Sequence, residues 1–161
     1  MTINGTTCNI RITFNNNILE QVTTFPYLGS LITNDTGCIK DIRSRLAKGS
    51  SIGKALKNIW QNHGIGIPTK IRLLKALVWP VAVYGCESWT LKKDDEARIN
   101  AFEMRCLRQV LRVSWTAKNT NEWVLKTAGV ERELLATVKQ RTMTYYGHIL
   151  RKMGVPGERF N

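Results

Sequence analysis

The residues best suited to chemistry in this chain are an adjacent carboxylate pair, Asp94-Asp95, two histidines, His63 and His148, and four cysteines, Cys8, Cys38, Cys86 and Cys106. Paired carboxylates can hold two Mg2+ ions against phosphate oxygens, but only from a rigid site that faces the substrate. Here the pair follows Lys92-Lys93 and opens a helical pattern, where acids complement the positive end of the helix dipole. No third carboxylate lies in a comparable apolar strand, so capping is the expected role. His148, in Tyr145-Tyr146-Gly147-His148-Ile149-Leu150-Arg151, has no serine or cysteine partner in a recognisable nucleophile setting. A core-edge or phosphate-facing histidine is expected there rather than a general base. The cysteines form no C-x-x-C pair and neither histidine falls at a zinc-finger spacing, so buried free thiols are expected. Phosphate-cradling glycine loops are absent, and Gly64-Ile65-Gly66 is too short to count as one. No catalytic residue and no metal ligand is assigned.

The charged residues say more. Twenty-four Lys and Arg stand against twelve Asp and Glu, giving a net charge of +12. Residues 1–37 hold only Arg11 against Glu20 and Asp35, a net −1, so the remainder carries +13. A basic body behind a near-neutral start points to a polyanion, and nucleic acid is the commonest. At about 100° per residue, Arg98, Arg105, Arg108 and Arg112 fall within about 80° of one another on a helix. Only Arg98 has acidic neighbours one turn back. On an earlier helix Lys40, Arg43, Lys54 and Lys57 cluster beside the apolar stripe, with Ser50, Ser51 and Gln61 on the same side. Lys, Arg, Ser and Gln together are the usual phosphate-contacting mixture. No base-reading pattern appears, so shape and backbone contact, sensitive to salt, is the expected mode.

Positioning those stripes requires helices. In residues 8–33, Ile10, Ile12 and Phe14 alternate with polar neighbours, and Asn15-Asn16-Asn17 supplies turn residues tolerant of positive φ before a return over Ile18–Val22. Phe25–Ile32 is a second, more apolar β stretch, closed by Asn34-Asp35-Thr36-Gly37. From Cys38 the period becomes helical: Ile39, Ile42, Leu46, Gly49, Gly53, Leu56 and Trp60 make one stripe. The two glycines in it predict a close backbone approach. A second helix over about 68–84 is nearly apolar all round and is expected at the centre of a bundle, kinked or interrupted at Pro80. A third starts near Asp94 and continues through Ile99, Phe102, Cys106 and Val110. Asn119-Thr120-Asn121-Glu122 resembles a capping box for a short helix that Gly129 ends. A fifth runs over about 131–152 with Leu134, Leu135, Val138, Tyr145 and Ile149 inward.

The expected architecture is therefore mainly α: a bundle of about five helices preceded by a small N-terminal β-hairpin region, α+β overall. The division is a hairpin region at 1–37, helices at 38–152 and a flexible tail at 153–161. At 43% hydrophobic and 22% charged, the 161 residues have globular composition. No apolar run approaches the ~18–20 residues of a membrane span, and no signal-peptide pattern opens the chain. An intracellular protein, nuclear or cytoplasmic and neither secreted nor membrane-bound, is the expectation.

Several short segments, in order, resemble LINE-type (non-LTR) retrotransposon reverse transcriptases of the RTE-like endonuclease–reverse transcriptase kind. They are Phe25-Pro26-Tyr27-Leu28-Gly29-Ser30-Leu31-Ile32-Thr33, Asp41-Ile42-Arg43-Ser44-Arg45-Leu46, Lys70–Lys75, Val83-Tyr84-Gly85-Cys86-Glu87-Ser88-Trp89-Thr90, Ala101–Arg108, Leu111–Thr116 and Tyr146–Arg151. The similarity spans about residues 20–152. It implies that the chain corresponds to the palm end and thumb of such an enzyme. The hairpin residues Tyr27, Leu28 and Gly29 would hold the primer end, and the helices would straddle template–primer duplex. The family's aromatic-x-Asp-Asp motif is not among these residues, so the resemblance implies no polymerase or endonuclease activity and no cofactor in this chain, Mg2+ belonging to the absent catalytic palm.

Together these readings predict a non-catalytic fragment that binds an RNA–DNA hybrid or duplex by its backbone. Lys40, Arg43, Lys54 and Lys57 would face it from one helix, and Arg98, Arg105, Arg108 and Arg112 from another. The alternative is a protein–protein module docking through its apolar β edge on the remaining reverse-transcriptase domains or another partner.

Overall fold

Turn chemistry shapes the first elements of the structure, a computed structural model describing residues 11–34 and 37–152. Asn15 and Asn16 both take positive φ, 48° and 61°, and join β1 (Thr13–Phe14) to β2 (Asn17–Ile18). The apolar stretch that follows is itself a hairpin. β3 (Thr24–Tyr27) pairs antiparallel with β4 (Ser30–Thr33) around a two-residue turn, Leu28-Gly29, with φ of 46° and 84°. Positive φ at both positions gives the strand twist that a two-residue hairpin needs. Cys8, Ile10, Asp35, Thr36 and the tail at 153–161 lie outside the described residues.

The helical part is mainly α, as the periodicity predicts. α1 (Ile39–Ala55) stops one turn short of the stripe's end, and α2 (Lys57–Gln61) carries Trp60. The break has a local cause. The Trp60 indole N–H donates to the Gly53 carbonyl at 2.8 Å, taking an acceptor that a continuous helix would offer to the amide four residues on. Gly49 meets its expected close neighbour: a Cβ there would stand 3.0 Å from both Ala82 Cβ and Phe102 Cζ, with the Ala82 backbone at 3.5 Å.

The second helical stretch departs from expectation in two ways. α3 (Ile67–Leu73) passes into a π turn over Leu74–Val78 before α4 (Trp79–Ala82). Pro80 lacks an N–H and crowds the carbonyl four residues back, and the wider turn absorbs that conflict. Nor is this stretch buried all round. Leu74, Val78 and Ala82 are in the core, but Leu77 is 43% and Tyr84 52% exposed. An apolar sequence without a polar face could not reveal which side is left open.

α5 (Lys93–Leu111) is the pillar of the core, with Ile99, Phe102, Cys106 and Val110 buried. Its start bears out the capping role of the carboxylate pair: buried Asp95 accepts from the Lys92 amide at 3.3 Å, and Asp94 is exposed. α6 (Asn121–Ala128) is capped by Thr120, whose hydroxyl accepts from Trp123 N at 3.2 Å, one residue later than the Asn119 box implied, and Gly129 ends it at φ 67°. α7 (Leu134–Lys152) begins three residues after Glu131, because Glu103 of α5 supplies its cap. This carboxylate, 1% exposed, accepts from Glu133 N at 3.0 Å and Leu134 N at 3.1 Å. Leu134 and Val138 face inward, whereas Tyr145 is 47% exposed, contrary to its expected place. Ile149, one turn further on, is half-buried, so Tyr145 alone of these two turns its side chain outward. Among the described residues no helix is long and apolar enough to cross a membrane.

The thiols divide by burial. Cys86 and Cys106 are buried and free, and Cys38 is half-exposed. Burial pushes Cys106 up to about 12, with Arg105 opposing and Glu103 adding to the shift. Burial, then Glu87, also raises Cys86. Iodoacetamide at pH 8 is expected to label Cys38 in the native protein, and Cys86 and Cys106 only after denaturation, as read by peptide mass spectrometry. Native labelling of Cys106 at the rate of Cys38 would contradict this core.

Candidate nucleic-acid interface

The crevice between α1 and α5 collects most of the basic stripe residues. The two helices run in the same direction along it. Near its start, Arg43 and Ser50 of α1 face Arg98 and Arg105 of α5 across a groove of about 410 Å3 floored by Leu46, Ala47 and Phe102. Near its end, Lys54 of α1, Lys57 of α2 and Arg112, the residue capping α5, surround a second groove of about 440 Å3. On α1 the spacing 43, 47, 50, 54 is one helical face, which Lys57 of α2 prolongs past the break, and on α5 98, 102, 105, 109, 112 is another. Along α5, from Arg98 to the capping Arg112, the face runs about 21 Å, at 1.5 Å per residue. That is the length of about six nucleotides of one strand at 3.4 Å each.

The electrostatics of the crevice are one-sided. Six cations line it and no carboxylate does. Among the described residues Arg43, Lys54, Lys57 and Arg105 make no ion pair; Arg98 Nε lies 3.9 Å from Asp95 Oδ1, a long contact within its own helix. Arg112 takes a left-handed φ of 59° and its Nη1 lies 3.1 Å from His63 Nε2, which holds the guanidinium at the rim. Exposed cations held this closely repel one another, and a bound polyanion relieves that repulsion.

Two of the expected residues stand apart from the crevice. Lys40 is exposed one turn before Arg43 and lines neither groove. Arg108 is half-buried and donates to Asn119 O at 2.9 Å and Asn121 Oδ1 at 3.0 Å, tying α5 to the approach of α6. Its helical position is right, but the segment that leads from α5 into α6 uses its donors. Ser50 and Gln61 join the grooves and Ser51 does not. Gln109 and His63 were missed by the charge count. Gln109 could have been found from spacing, four residues after Arg105 on the same face.

Tyr27, Leu28 and Gly29 lie on another side of α1. Arg45, about 200° around the helix from Arg43, reaches the hairpin and donates from Nη2 to Gly29 O at 2.5 Å. Its guanidinium also sits 4.3 Å over the Tyr84 ring, and the Tyr84 hydroxyl donates to Leu28 O at 3.3 Å. Buried Asp41 completes the junction: Oδ1 accepts from Leu31 N at 3.0 Å and Oδ2 from Trp89 Nε1 at 2.9 Å. Gly85, at φ 73°, admits Ser30, whose Oγ would lie 2.9 Å from any Cβ placed there. The segments around Tyr27, Asp41 and Tyr84 thus form one structural joint, turned away from the basic crevice.

A third groove, about 550 Å3, runs along α7 with Arg141, His148 and Arg151 against Glu87. His148 is exposed there among charged and hydroxyl groups. Among the described residues no three His, Cys, Asp or Glu side chains gather as metal ligands would. Compared with known proteins, the chain matches no protein-family model, no curated protein and no solved structure.

Proposed function

We propose that this chain grips nucleic-acid duplex by its backbone, in the manner of a reverse-transcriptase thumb, and supplies hold rather than chemistry. The observation that carries the reading is the crevice between α1 and α5: six cations along about 21 Å with no carboxylate among the residues that line it. Regular spacing of positive charge, with a serine hydroxyl and glutamine amides between, suits a phosphate ladder and reads no base sequence. The resemblance to LINE-type reverse transcriptases is consistent with either an RNA–DNA hybrid or a DNA duplex as the ligand. Affinity for hybrid, duplex DNA and single strands across a salt series tests it. Binding that favours the double-stranded forms and falls steeply with salt supports the grip, and binding indifferent to salt removes it.

One observation favours a second reading, docking on a protein. Phe14, Tyr27 and Leu28 expose 66%, 55% and 76% of their surfaces on two hairpins that form separate two-stranded sheets. Open strand edges with exposed aromatic residues are the surface on which another sheet adds. Concentration-dependent self-association that tracks these residues, without salt-sensitive nucleic-acid binding, would put this reading first.

A further inference from the structure

The two ends of the crevice differ in chemistry. The near groove presents guanidinium groups over Leu46, Ala47 and Phe102, with Ser50 as its small polar group. The far groove adds two carboxamides, Gln61 and Gln109, to its cations Lys54, Lys57 and Arg112. Its back wall is Gly53 and the buried Trp60, whose indole N–H is already taken by the Gly53 carbonyl. The absence of a side chain at Gly53 matters, because a Cβ there would stand 3.1 Å from Gln109 Oε1 and shift the amide. At about 440 Å3 the space falls within the roughly 300–1,000 Å3 of small-ligand pockets.

A carboxamide carries a donor and an acceptor side by side, the pattern that matches the edge of a nucleobase. A base inside a duplex is stacked and cannot reach such a groove, whereas an unpaired one can. Glutamine can also contact phosphate, but three cations already supply that charge here, and only a base edge uses a carboxamide's donor and acceptor together. We propose that the far groove holds one unpaired nucleotide at the end of a bound duplex, its base against Gln61 and Gln109 and its phosphate on Lys54, Lys57 and Arg112. The inference rests on reading the crevice as a nucleic-acid groove, and gives that groove a direction: duplex over Arg43 and Arg105, the strand end at Trp60.

Fluorescence anisotropy on the full chain tests it with a blunt DNA duplex and the same duplex carrying one unpaired adenosine at a 3′ or a 5′ end. The expected result is binding about tenfold tighter with one of the overhangs, within the range of a single base contact. The ratio of overhang to blunt affinity should fall to near one in Gln109→Ala and in Gly53→Ala. The second change favours the helix, so it keeps the fold while displacing the amide. A wild-type ratio of one with salt-sensitive binding to both duplexes would overturn the pocket and leave the crevice standing. A ratio that survives both substitutions would place the overhang elsewhere and also overturn the pocket. Failure of either duplex to bind would overturn pocket and crevice together.

Discussion

Reversing Arg43 and Arg105 together to glutamate is expected to weaken duplex binding by at least about tenfold at moderate salt, with the fold intact. The two side chains belong to different helices and face one groove, so a single rigid surface loses both charges. Each phosphate contact removed should reduce the slope of log affinity against log salt by about 1, so the double variant should show a slope shallower by about 2. Helical circular dichroism and the melting midpoint should stay near wild type, since both residues are exposed and neither makes an ion pair among the described residues. Arg108, which helical spacing groups with Arg105, is the wrong partner for this test. Its bonds to Asn119 and Asn121 would break on reversal, and a loss of binding could then follow from a loosened α5–α6 junction. Unchanged affinity and slope in the Arg43/Arg105 variant would remove the crevice as the binding surface.

The largest effect on stability is expected from Asp41→Ala. This buried carboxylate satisfies two donors from separate parts of the chain, the Leu31 amide and the Trp89 indole. Leaving a buried donor without its acceptor costs about 1–3 kcal/mol each, so a loss of about 3 kcal/mol is expected from urea unfolding. The loss should also be local. Amides of residues 24–33 should exchange faster, because the hairpin then loses the anchor on Leu31 and is left to contacts such as those of Arg45 and Tyr84 at its turn and of Thr33 with Gly37. Asp41→Asn keeps one acceptor and should lie between. Asp41 is about 200° around α1 from Arg43, so salt-dependent binding by the Asn variant should match wild type. An Ala variant with wild-type stability and exchange would show that the joint is not held by Asp41.

How far the sequence goes can be judged from α1 and α5. Their apolar periodicity placed Ile42, Ile99, Phe102 and Val110 inward, and all four are buried. The same arithmetic put Arg43, Lys54 and Lys57 on one side of the first helix and Arg98, Arg105 and Arg112 on one side of the third. A face is a property of one helix and is readable from spacing. That the two faces meet across one crevice is a relation between helices 55 residues apart from Arg43 to Arg98, and no periodicity contains it.

The exceptions share that cause. Arg108 sits at the right angle but is occupied by Asn119 and Asn121, beyond the end of its own helix. Tyr145 has the spacing of a buried residue, but it is 47% exposed while Ile149 one turn on is half-buried. Pro80 announced an interruption, yet packing decided that it would be a π turn with Leu77 left outside. By itself the sequence determined a mainly helical chain with an asparagine-turned first hairpin, capped helix starts and two basic helical faces, because turns, caps and faces follow from neighbours within about four residues. Only the tertiary structure decided which cations share a groove, which are used to hold loops, and that the Tyr27 hairpin is locked to Arg45 on the far side of α1, because those outcomes depend on the packing angle between elements that the chain brings together from a distance.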